Sequence, residues 1–384
     1  MQYELIATAT FGLEAVVKRE VEKLGYEVLA VEDGKVTYAG DKRAIVRSNL
    51  WLRTADRVLL KMAEFPAETF DELFEGTKAV AWEKLIPADG KFVVTGTSVK
   101  SKLHSVPACQ KIVKKAMATR LCEAYGLSVM PEMGADYTVK ITLLKDRVTL
   151  TVDTSGEGLH KRGYRVQNVP APIKETLAAA LVELSFWNRD RMLVDPCCGS
   201  GTIAIEAALL GRNIAPGLAR SFAAEAWDTI PEALWKEERK AAFAAIDQAG
   251  ELRILASDID TKAVEAARAN AEEAGVDADI VFARRNIRDL TVPADVENGI
   301  FITNPPYGVR IGEQKELAVI YRAFTDLLKQ NPGWSLFLIT GDKVREERIC
   351  GRRADRRRKL YNGRLETCFY QFHGKKQASR DRTE

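Results

Sequence analysis

The tetrad Asn304-Pro305-Pro306-Tyr307 contains the residue types that point most directly to chemistry. Two consecutive prolines fix φ and remove two backbone donors, so the turn is rigid and presents hydrogen-bond acceptors. These acceptors are the side-chain oxygen of Asn304 and the carbonyl of Pro305, and Tyr307 adds a flat ring for stacking. The pattern predicts a clamp that holds the two N–H bonds of a planar base and aims its nitrogen at an electrophile. An ordinary turn at the end of a strand is the alternative.

A glycine-rich turn is the second candidate site, in the segment DPCCGSGTIA at residues 195–204. An apolar strand ends before it and an apolar helix follows it. Glycines let a backbone approach a ligand closely, and a helix N-terminus presents free N–H donors with a partial positive charge. We therefore predict a ligand site, formed by Asp195, Cys197, Gly199 and Gly201, in preference to a turn that only packs.

The spacing after this turn indicates whether its ligand is a dinucleotide. The pattern Gly199-x-Gly201-x-x-Ala204 also fits the dinucleotide fingerprint, which would indicate a nicotinamide oxidoreductase. That fingerprint expects an acid ~20 residues further on. The next acid at the end of a strand is Asp258, 57 positions after Gly201. The dinucleotide interpretation is therefore weak.

Polar residues follow two further apolar runs in this half of the chain. Asp258 ends one run and is placed to accept hydrogen bonds from two ribose hydroxyls, whereas Asp260 is predicted to cap the next helix. Asn286 and Asp289 follow the run at 280–282, where a polar side chain can contact an adenine amino group. Plain loop residues are the alternative for either of them.

The elements that must position these residues alternate between strand and helix. In the second half, helices are predicted at 202–210 and 261–274, and strands at 192–194, 253–256, 300–303 and 334–340. Such alternation predicts a parallel α/β sheet with helices on both faces. A hairpin turned by Asn362-Gly363 closes it, and prolines near 167–173 mark a domain boundary.

The first half of the chain also alternates between predicted strands and helices. Strand pairs are predicted at 26–40, turned by Asp33-Gly34, and at 137–143 with 147–153. Single strands are predicted at 2–10 and 91–97. Helices are predicted at 11–24, 41–61 and 107–124, the last of which is basic.

Composition describes an ordinary globular chain of 384 residues, 46% hydrophobic and 29% charged, with a net charge of +3. The six cysteines have no C-x-x-C spacing and the three histidines are far apart, so we predict neither a metal site nor a disulfide framework. The start has no basic n-region with an apolar h-region, and no apolar run approaches the ~18–20 residues of a membrane span. We therefore expect a cytoplasmic protein without membrane contact.

The motifs DPCCGSGT, SDID and NPPYG, in this order, resemble motifs I, II and IV of class I S-adenosylmethionine-dependent methyltransferases acting on amino groups of nucleobases. The segments GLHKRGYR and APIKETLA are similar to the domain junction of the THUMP-domain RNA methyltransferases. The start, ATATFGLEAVVKREVEKLGY, is similar to the ferredoxin-like segment that precedes THUMP in that family. The resemblance covers nearly the whole chain. It is closest to the bacterial enzymes that make N2-methylguanosine in 23S ribosomal RNA.

The resemblance implies an α/β chain in which a Rossmann-like class I methyltransferase domain follows an α+β RNA-binding region. We expect a ferredoxin-like segment at 1–64, a THUMP domain at 65–165, the methyltransferase domain at 166–374 and a disordered tail at 375–384. The implied cofactor is S-adenosyl-L-methionine and the implied partner is RNA, first ribosomal RNA and then transfer RNA. Three alternatives stay open: adenine-N6 methylation of DNA or RNA, guanine-N2 methylation of transfer RNA, and a ribosome-assembly factor that binds RNA without catalysis.

The resemblance also implies roles by position. Asp195, Gly199 and Gly201 would line the methionine and ribose of the cofactor, and Asp258 would bind the ribose. The tetrad from Asn304 to Tyr307 matches the catalytic motif without departure. Many relatives have Gly-Asp where this chain has Arg285-Asn286, so the residue that meets the adenine stays open.

Basic residues form two groups that an RNA partner would explain, and a third basic run at 352–359 is either a further backbone contact or a charged surface loop. Three lysines share one face of the helix at 107–124 by i, i+3, i+4 spacing, and such faces can follow phosphates with little sequence readout. A solvated surface is the alternative. The candidate RNA-binding residues are Lys100, Lys102, Lys111, Lys114, Lys115, His160, Lys161, Arg162 and Arg165.

Overall fold

The computed structural model describes residues 2–167, 172–306, 311–342 and 345–375, without the side chains of 311–316. Tyr307 and the predicted tail from residue 376 lie outside this part of the chain. The described residues form two compact units. The N-terminal unit contains residues 2–9, 17–159 and 220–241, and the C-terminal unit contains residues 10–16, 160–219 and those from 242 onward. Among the described helices, none is long and apolar enough to cross a lipid bilayer.

The N-terminal unit is built on one sheet of seven strands. The strands are β1 (Tyr3–Ala9), β2 (Val28–Glu32), β3 (Lys35–Gly40), β4 (Ala55–Pro66), β5 (Lys91–Val99), β6 (Asp136–Leu144) and β7 (Arg147–Asp153). Their order is β2-β3-β1-β4-β7-β6-β5, with β5 and β6 parallel and the other neighbours antiparallel. Because β4 pairs with β1 on one side and β7 on the other, strands from 1–64 and 65–165 share this sheet.

The helices of this part of the chain are α1 (Glu14–Lys23), α2 (Lys42–Trp51), α3 (Phe70–Lys78) and α4 (Val106–Tyr125). The hairpin at Asp33-Gly34 and the basic helix are confirmed. The single helix predicted over 41–61 is wrong, because α2 ends at Trp51 and β4 begins at Ala55. As an inner strand, β4 buries Val58 to Leu60 in succession. A continuous apolar run does not distinguish a buried strand from a helix by periodicity.

The C-terminal unit contains the predicted parallel sheet. Its strands are β8 (Leu193–Asp195), β9 (Ile254–Asp258), β10 (Ile280–Arg284), β11 (Ile300–Thr303), β12 (Ser335–Thr340), β13 (Arg356–Asn362) and β14 (Leu365–Phe372). Their order is β10-β9-β8-β11-β12-β14-β13. The first five are parallel, and the predicted hairpin of β13 and β14 is confirmed at the far edge.

Apolar layers cover both faces of this sheet, as the alternation of elements predicts. Ile302 and Phe337 belong to one layer, whereas their strand neighbours Phe301 and Leu336 belong to the other. The helices of the remaining chain are α5 (Glu175–Leu184), α6 (Thr202–Gly211), α7 (Glu232–Ala244), α8 (Thr261–Glu273), α9 (Ile311–Gln330) and α10 (Glu347–Cys350).

Candidate active site

Three adjacent parallel strands bring the predicted site residues to one edge of the C-terminal sheet. Strand β8 ends at Asp195, β9 ends at Asp258, and β11 ends at Thr303, directly before Asn304. Strand β8 lies between the other two. Ligands of open α/β sheets bind at this carboxyl edge.

The glycine-rich turn is bound to the end of β9. The Gly199 N–H donates to the Asp258 carboxylate over 3.0 Å, and the Cys198 N–H donates to the Ser257 carbonyl over 2.9 Å. Gly199 and Gly201 have φ of +52° and +80°, which a residue with a Cβ adopts at a cost. A Cβ on Gly201 would also lie 2.9 Å from the Cβ of Ala267 in α8. The turn therefore requires glycine both for its backbone and for its packing.

Asp195 is buried between this turn and β11. It is 1% exposed and accepts hydrogen bonds from the Thr303 hydroxyl over 2.9 Å and from the Cys197 N–H over 3.2 Å. Burial raises the pKa of Asp195 to about 7, although these hydrogen bonds lower it. A cation placed beside this carboxylate would therefore stabilise its charged form. Burial also raises the pKa of the Cys197 thiol, so this cysteine is not an activated nucleophile.

Asn304 presents a buried acceptor. Its Oδ1 atom is shielded from solvent and has no hydrogen-bond partner among the described residues. Pro305 is buried and Pro306 is exposed. Buried polar atoms in folded proteins are almost always hydrogen-bonded, so an unpaired acceptor at the ligand-binding edge of the sheet is suited to accept from a bound group. Asn304 Oδ1 is therefore available to a donor from outside the described part of the chain.

The residues after β9 and β10 meet at the same edge. Each oxygen of the Asp258 carboxylate accepts one backbone N–H, from Gly199 and from Asp260, both over 3.0 Å. The Arg285 N–H donates to the Asp258 carbonyl over 2.9 Å, which brings the loop after β10 to this acid. In that loop, Asn286 accepts the Arg288 N–H over 3.0 Å, and Asp289 is exposed. The contact of Asn286 or Asp289 with an adenine stays a prediction.

Asp260 caps α8, as the sequence predicts. Its side chain accepts the Lys262 N–H over 2.9 Å. Asp258 is thus the acid of this pair that lies at the end of β9, and Asp260 has a local structural role.

Sequence motifs did not identify two residues whose side chains hydrogen-bond to the glycine-rich turn and to the start of α6. The Arg165 guanidinium donates to the Thr202 hydroxyl over 3.1 Å and pairs with Glu175 over 2.9 Å. The Asn270 amide donates to the Ser200 carbonyl over 3.1 Å. Asn270 lies on a predicted helix without a motif around it, so no local signal could have found it.

Arg162 and Arg165 were predicted to bind RNA, and the structure places both inside the C-terminal unit. Arg162 is 4% exposed and pairs with the buried Glu206 over 3.4 Å. Tyr164 also donates to Glu206, over 3.0 Å. Neither guanidinium is available to a phosphate in this arrangement, because a buried charge is held by its partner. His160 is half-buried and Lys161 is exposed in the same unit.

The other predicted basic residues lie together in the N-terminal unit. Lys100 and Lys102 follow β5, and the remaining three lie on α4. Lys102 pairs with Glu68, and Lys114 pairs with Glu132 over 3.0 Å. All five are exposed: Lys100, Lys102, Lys111, Lys114 and Lys115.

Three family models match consecutive parts of the chain. Residues 4–59 match the RlmL ferredoxin-like domain, residues 67–153 match the THUMP domain, and residues 162–371 match the UPF0020 model, described as the RMKL-like methyltransferase domain. The last match covers more than half of the chain.

Relatives of known sequence and structure agree with these matches. YpsC of Bacillus subtilis, an RNA methyltransferase by name, is 50% identical over 100% of this chain and 99% of its own length. The ribosomal RNA large subunit methyltransferase K/L of Syntrophotalea carbinolica is 36% identical over 96% of this chain, which spans only 53% of that longer protein. The crystal structure of SMU.472, described as a methyltransferase complexed with SAH, is 42% identical, with a TM-score of 0.92 over 98% of this chain and 99% of that one. The chain belongs to the UPF0020 family of RMKL-like methyltransferase domains, and it carries RlmL ferredoxin-like and THUMP domains before it.

Proposed function

We propose that this chain transfers a methyl group from S-adenosylmethionine to the exocyclic N2 amine of a guanosine in RNA, and that this RNA is 23S ribosomal RNA. The observation that carries the proposal is the buried Oδ1 atom of Asn304, which has no hydrogen-bond partner in the part of the chain that the structure describes. Asn304 directly follows Thr303, whose hydroxyl donates to the Asp195 carboxylate at the end of the neighbouring strand β8. An exocyclic amine supplies the donor that a buried acceptor needs.

The RNA part of the proposal is supported by the THUMP match at 67–153 and by the names of two relatives. Exposed lysines on α4 and after β5 give the N-terminal unit a surface that can contact phosphates. The choice of 23S ribosomal RNA rests on the likeness to the K/L methyltransferase.

The residues at the carboxyl edge fit S-adenosylmethionine by charge and by hydrogen bonding. Asp195 is a buried carboxylate with a pKa raised to about 7, and a sulfonium or ammonium group would stabilise its ionised form. Asp258 uses one acceptor position on each oxygen for a backbone N–H and retains others for ribose hydroxyls. Gly199 and Gly201 have no side chains that would block a ligand, and their positive φ angles favour glycine at both positions.

S-adenosylmethionine, when bound, would supply an electrophilic methyl carbon, and the breaking of its S–CH3 bond would release S-adenosylhomocysteine. The chain's own contribution is to position the attacking nitrogen. Asn304 Oδ1 and the Pro305 carbonyl accept the two N–H bonds of the amine, so the nitrogen lone pair turns toward the methyl group. The guanine must leave its stack, which costs roughly a few kcal/mol. The proton leaves after the C–N bond forms, to water or to the acceptors at Asn304, so no strong base is required.

Nucleoside mass spectrometry tests this function. The full chain is incubated with methyl-labelled S-adenosylmethionine and an in vitro transcript of 23S ribosomal RNA, which is then digested and analysed. We expect labelled N2-methylguanosine in the 23S transcript and none in a transfer RNA pool. Labelled N6-methyladenosine would overturn the guanine assignment, and label in transfer RNA alone would overturn the substrate. Loss of N2-methylguanosine from 23S RNA of a strain lacking the protein is the expected result in cells.

Calorimetry separates the methyltransferase from the other classes. S-adenosylhomocysteine should bind the full chain, and NAD should not. An assembly factor that keeps the fold without catalysis would bind RNA but leave no label in it.

A further inference from the structure

The segment 345–359 carries a large excess of positive charge. It contains eight cationic and three acidic side chains, whereas the net charge of the whole chain is only +3. The remainder of the chain is therefore net acidic. A positive field concentrated on one surface attracts polyanions even when the total charge is small.

Side chains of this segment line a cavity of about 1040 Å³ in the C-terminal unit. Two of the arginines that line it are neutralised, since Arg353 pairs with Glu347 over 3.1 Å and Arg357 pairs with Glu346 over 3.3 Å. Three more lining arginines are exposed and have no carboxylate at ion-pair distance within the described chain. These are Arg345, Arg348 and Arg356.

Crowded guanidinium groups repel one another and do not stabilise the fold. Their planar forks match the geometry of phosphate oxygens, to which each can donate two parallel hydrogen bonds. The cavity is therefore suited to phosphate groups, and because arginines from 345–348 and from β13 both line it, several phosphates suit it better than a single anion.

The register of β12, β14 and β13 places the C-terminal end of β13 near the carboxyl edge of the sheet, where Asn304 lies. Strand β14 runs antiparallel to β12, with Cys368 opposite Thr340, the last residue of β12. The β13–β14 turn therefore extends beyond the carboxyl end of the parallel strands, the edge at which Asn304 follows β11. Three strand spacings of about 4.8 Å separate β13 from β11 across the sheet, or about 14 Å. That span is a few nucleotides of RNA.

An aromatic pair lies at the catalytic end of β13. Phe11 is 49% exposed and contacts the Tyr361 ring edge-on, with 6.2 Å between the ring centroids. The Gly12 carbonyl accepts the Arg358 guanidinium over 2.7 Å, which fixes Phe11 beside the strand. Lys359 lies 5.5 Å from the Tyr361 centroid. Exposed aromatic rings flanked by cations are typical of surfaces that bind single-stranded nucleic acid.

We propose that these residues form a second RNA-binding surface, the β13 surface, which holds the single strand next to the target nucleotide. Its arginines bind phosphates and its aromatic pair stacks on a flanking base. The residues that define it are Phe11, Arg345, Arg348, Arg356 and Tyr361. The proposal rests on the proposed function, because it places the RNA strand across the edge where Asn304 lies.

Matched charge removals test the phosphate contacts. The variant Arg348→Gln/Arg356→Gln removes two charges from the β13 surface. The control Lys329→Gln/Lys375→Gln removes two exposed charges that do not line this cavity. Affinity for the 23S transcript is measured by filter binding over a range of salt concentrations. We expect the first variant to bind about ten-fold more weakly, with a salt slope lower by ~1.4, since each single-strand phosphate contributes ~0.7.

A matched aromatic pair tests the stacking. Phe11→Ser should weaken RNA binding several-fold without a change in salt slope, because stacking releases no counterions. Phe243→Ser removes a phenylalanine that is 70% exposed in the same unit and should leave the affinity unchanged. Melting temperature and S-adenosylhomocysteine affinity should be the same in all four variants, which shows that the fold is intact.

Two results would overturn the proposal: wild-type affinity in Arg348→Gln/Arg356→Gln, or an equal loss in the lysine control. The proposed function is judged separately, from the product that the wild-type chain makes. A wild-type chain that forms N2-methylguanosine, beside β13 variants with full RNA affinity, would leave the function standing and remove only this surface.

Discussion

Thr303 donates its hydroxyl hydrogen to Asp195 over 2.9 Å, although the two residues are 108 positions apart in the sequence. This bond joins the strand that ends at the Asn-Pro-Pro-Tyr tetrad to the strand that ends at the glycine-rich turn. The acceptor at Asn304 and the buried carboxylate of Asp195 therefore lie at the same edge of the sheet, and each prediction below on catalysis depends on that connection.

Replacing Thr303 with valine should weaken cofactor binding without unfolding the chain. A hydrogen bond to a charged group contributes about 1.5–3 kcal/mol, so we expect the Kd for S-adenosylhomocysteine to rise about ten-fold at pH 7. Because the Thr303 hydroxyl lowers the pKa of Asp195, the difference should shrink at pH 9, where Asp195 is ionised in both proteins. Calorimetry measures both. Thr151→Val, at a buried hydroxyl of the N-terminal unit, is the control and should bind as wild type does.

The free energy of unfolding should depend on pH through the titration of Asp195. The folded chain keeps this proton up to about pH 7, whereas an unfolded aspartate releases it near ~3.9. Between these values the folded state binds more protons, so the contribution of Asp195 to stability is full below about pH 4 and lost as the pH rises through about 7.

Urea unfolding of wild type and Asp195→Asn between pH 4 and pH 8 measures this contribution. The advantage of wild type over the variant should fall steadily as the pH rises, and a constant difference would contradict the assignment. Glu20, Asp153 and Glu175 also have raised pKa values through burial, which is why only the difference between the two proteins is informative.

Asn304→Ala should abolish methyl transfer while leaving cofactor affinity within about two-fold of wild type. The side-chain oxygen that would hold the amine is removed, whereas Asp195 and the glycine-rich turn are untouched. Single-turnover assays with labelled S-adenosylmethionine and calorimetry measure the two properties. A variant with unchanged turnover would exclude the tetrad from the mechanism. Asn331→Ala, at the end of α9, is a matched asparagine control.

The α4 lysines should contribute to RNA affinity through charge. Lys111, Lys114 and Lys115 are exposed on one helix, and reversing all three to glutamate should weaken binding of the 23S transcript at least ten-fold and lower its salt slope. Lys114 should contribute less than Lys111, because it already pairs with Glu132. Filter binding of the triple and single variants measures this order. Unchanged affinity and slope in the triple variant would identify the helix as ordinary solvated surface.

Arg162 should matter for stability. Arg162→Met would leave the buried Glu206 without its ion-pair partner, at a cost of roughly 3–5 kcal/mol. For a domain of this size that corresponds to a melting temperature lower by about 10 °C. The exposed neighbour Lys161→Met should melt within about 2 °C of wild type. Arg162→Met/Glu206→Leu should recover part of the loss, because no buried charge is then left unpaired. A single variant that melts like wild type would contradict this role.

The sequence by itself determined the local features of this protein. Turn residues such as Asp33-Gly34 and Asn362-Gly363, the helix cap Asp260 and the strand–turn–helix order around Gly199 depend on neighbours in the chain, so their spacing predicted the elements correctly. The parallel sheet followed from the alternation of those elements.

Only the tertiary structure decided which side chains meet and which are buried. Val58 to Leu60 form an inner strand because strands from both sides pair with them. Arg162 and Arg165 look like a phosphate-binding run in the sequence, yet Glu206 and Glu175 pair with them inside the C-terminal unit. The contact of Thr303 with Asp195 likewise depends on two strands that become neighbours only when the sheet assembles. Burial and long-range pairing are properties of the assembled sheet, and residue types at local spacing do not encode them.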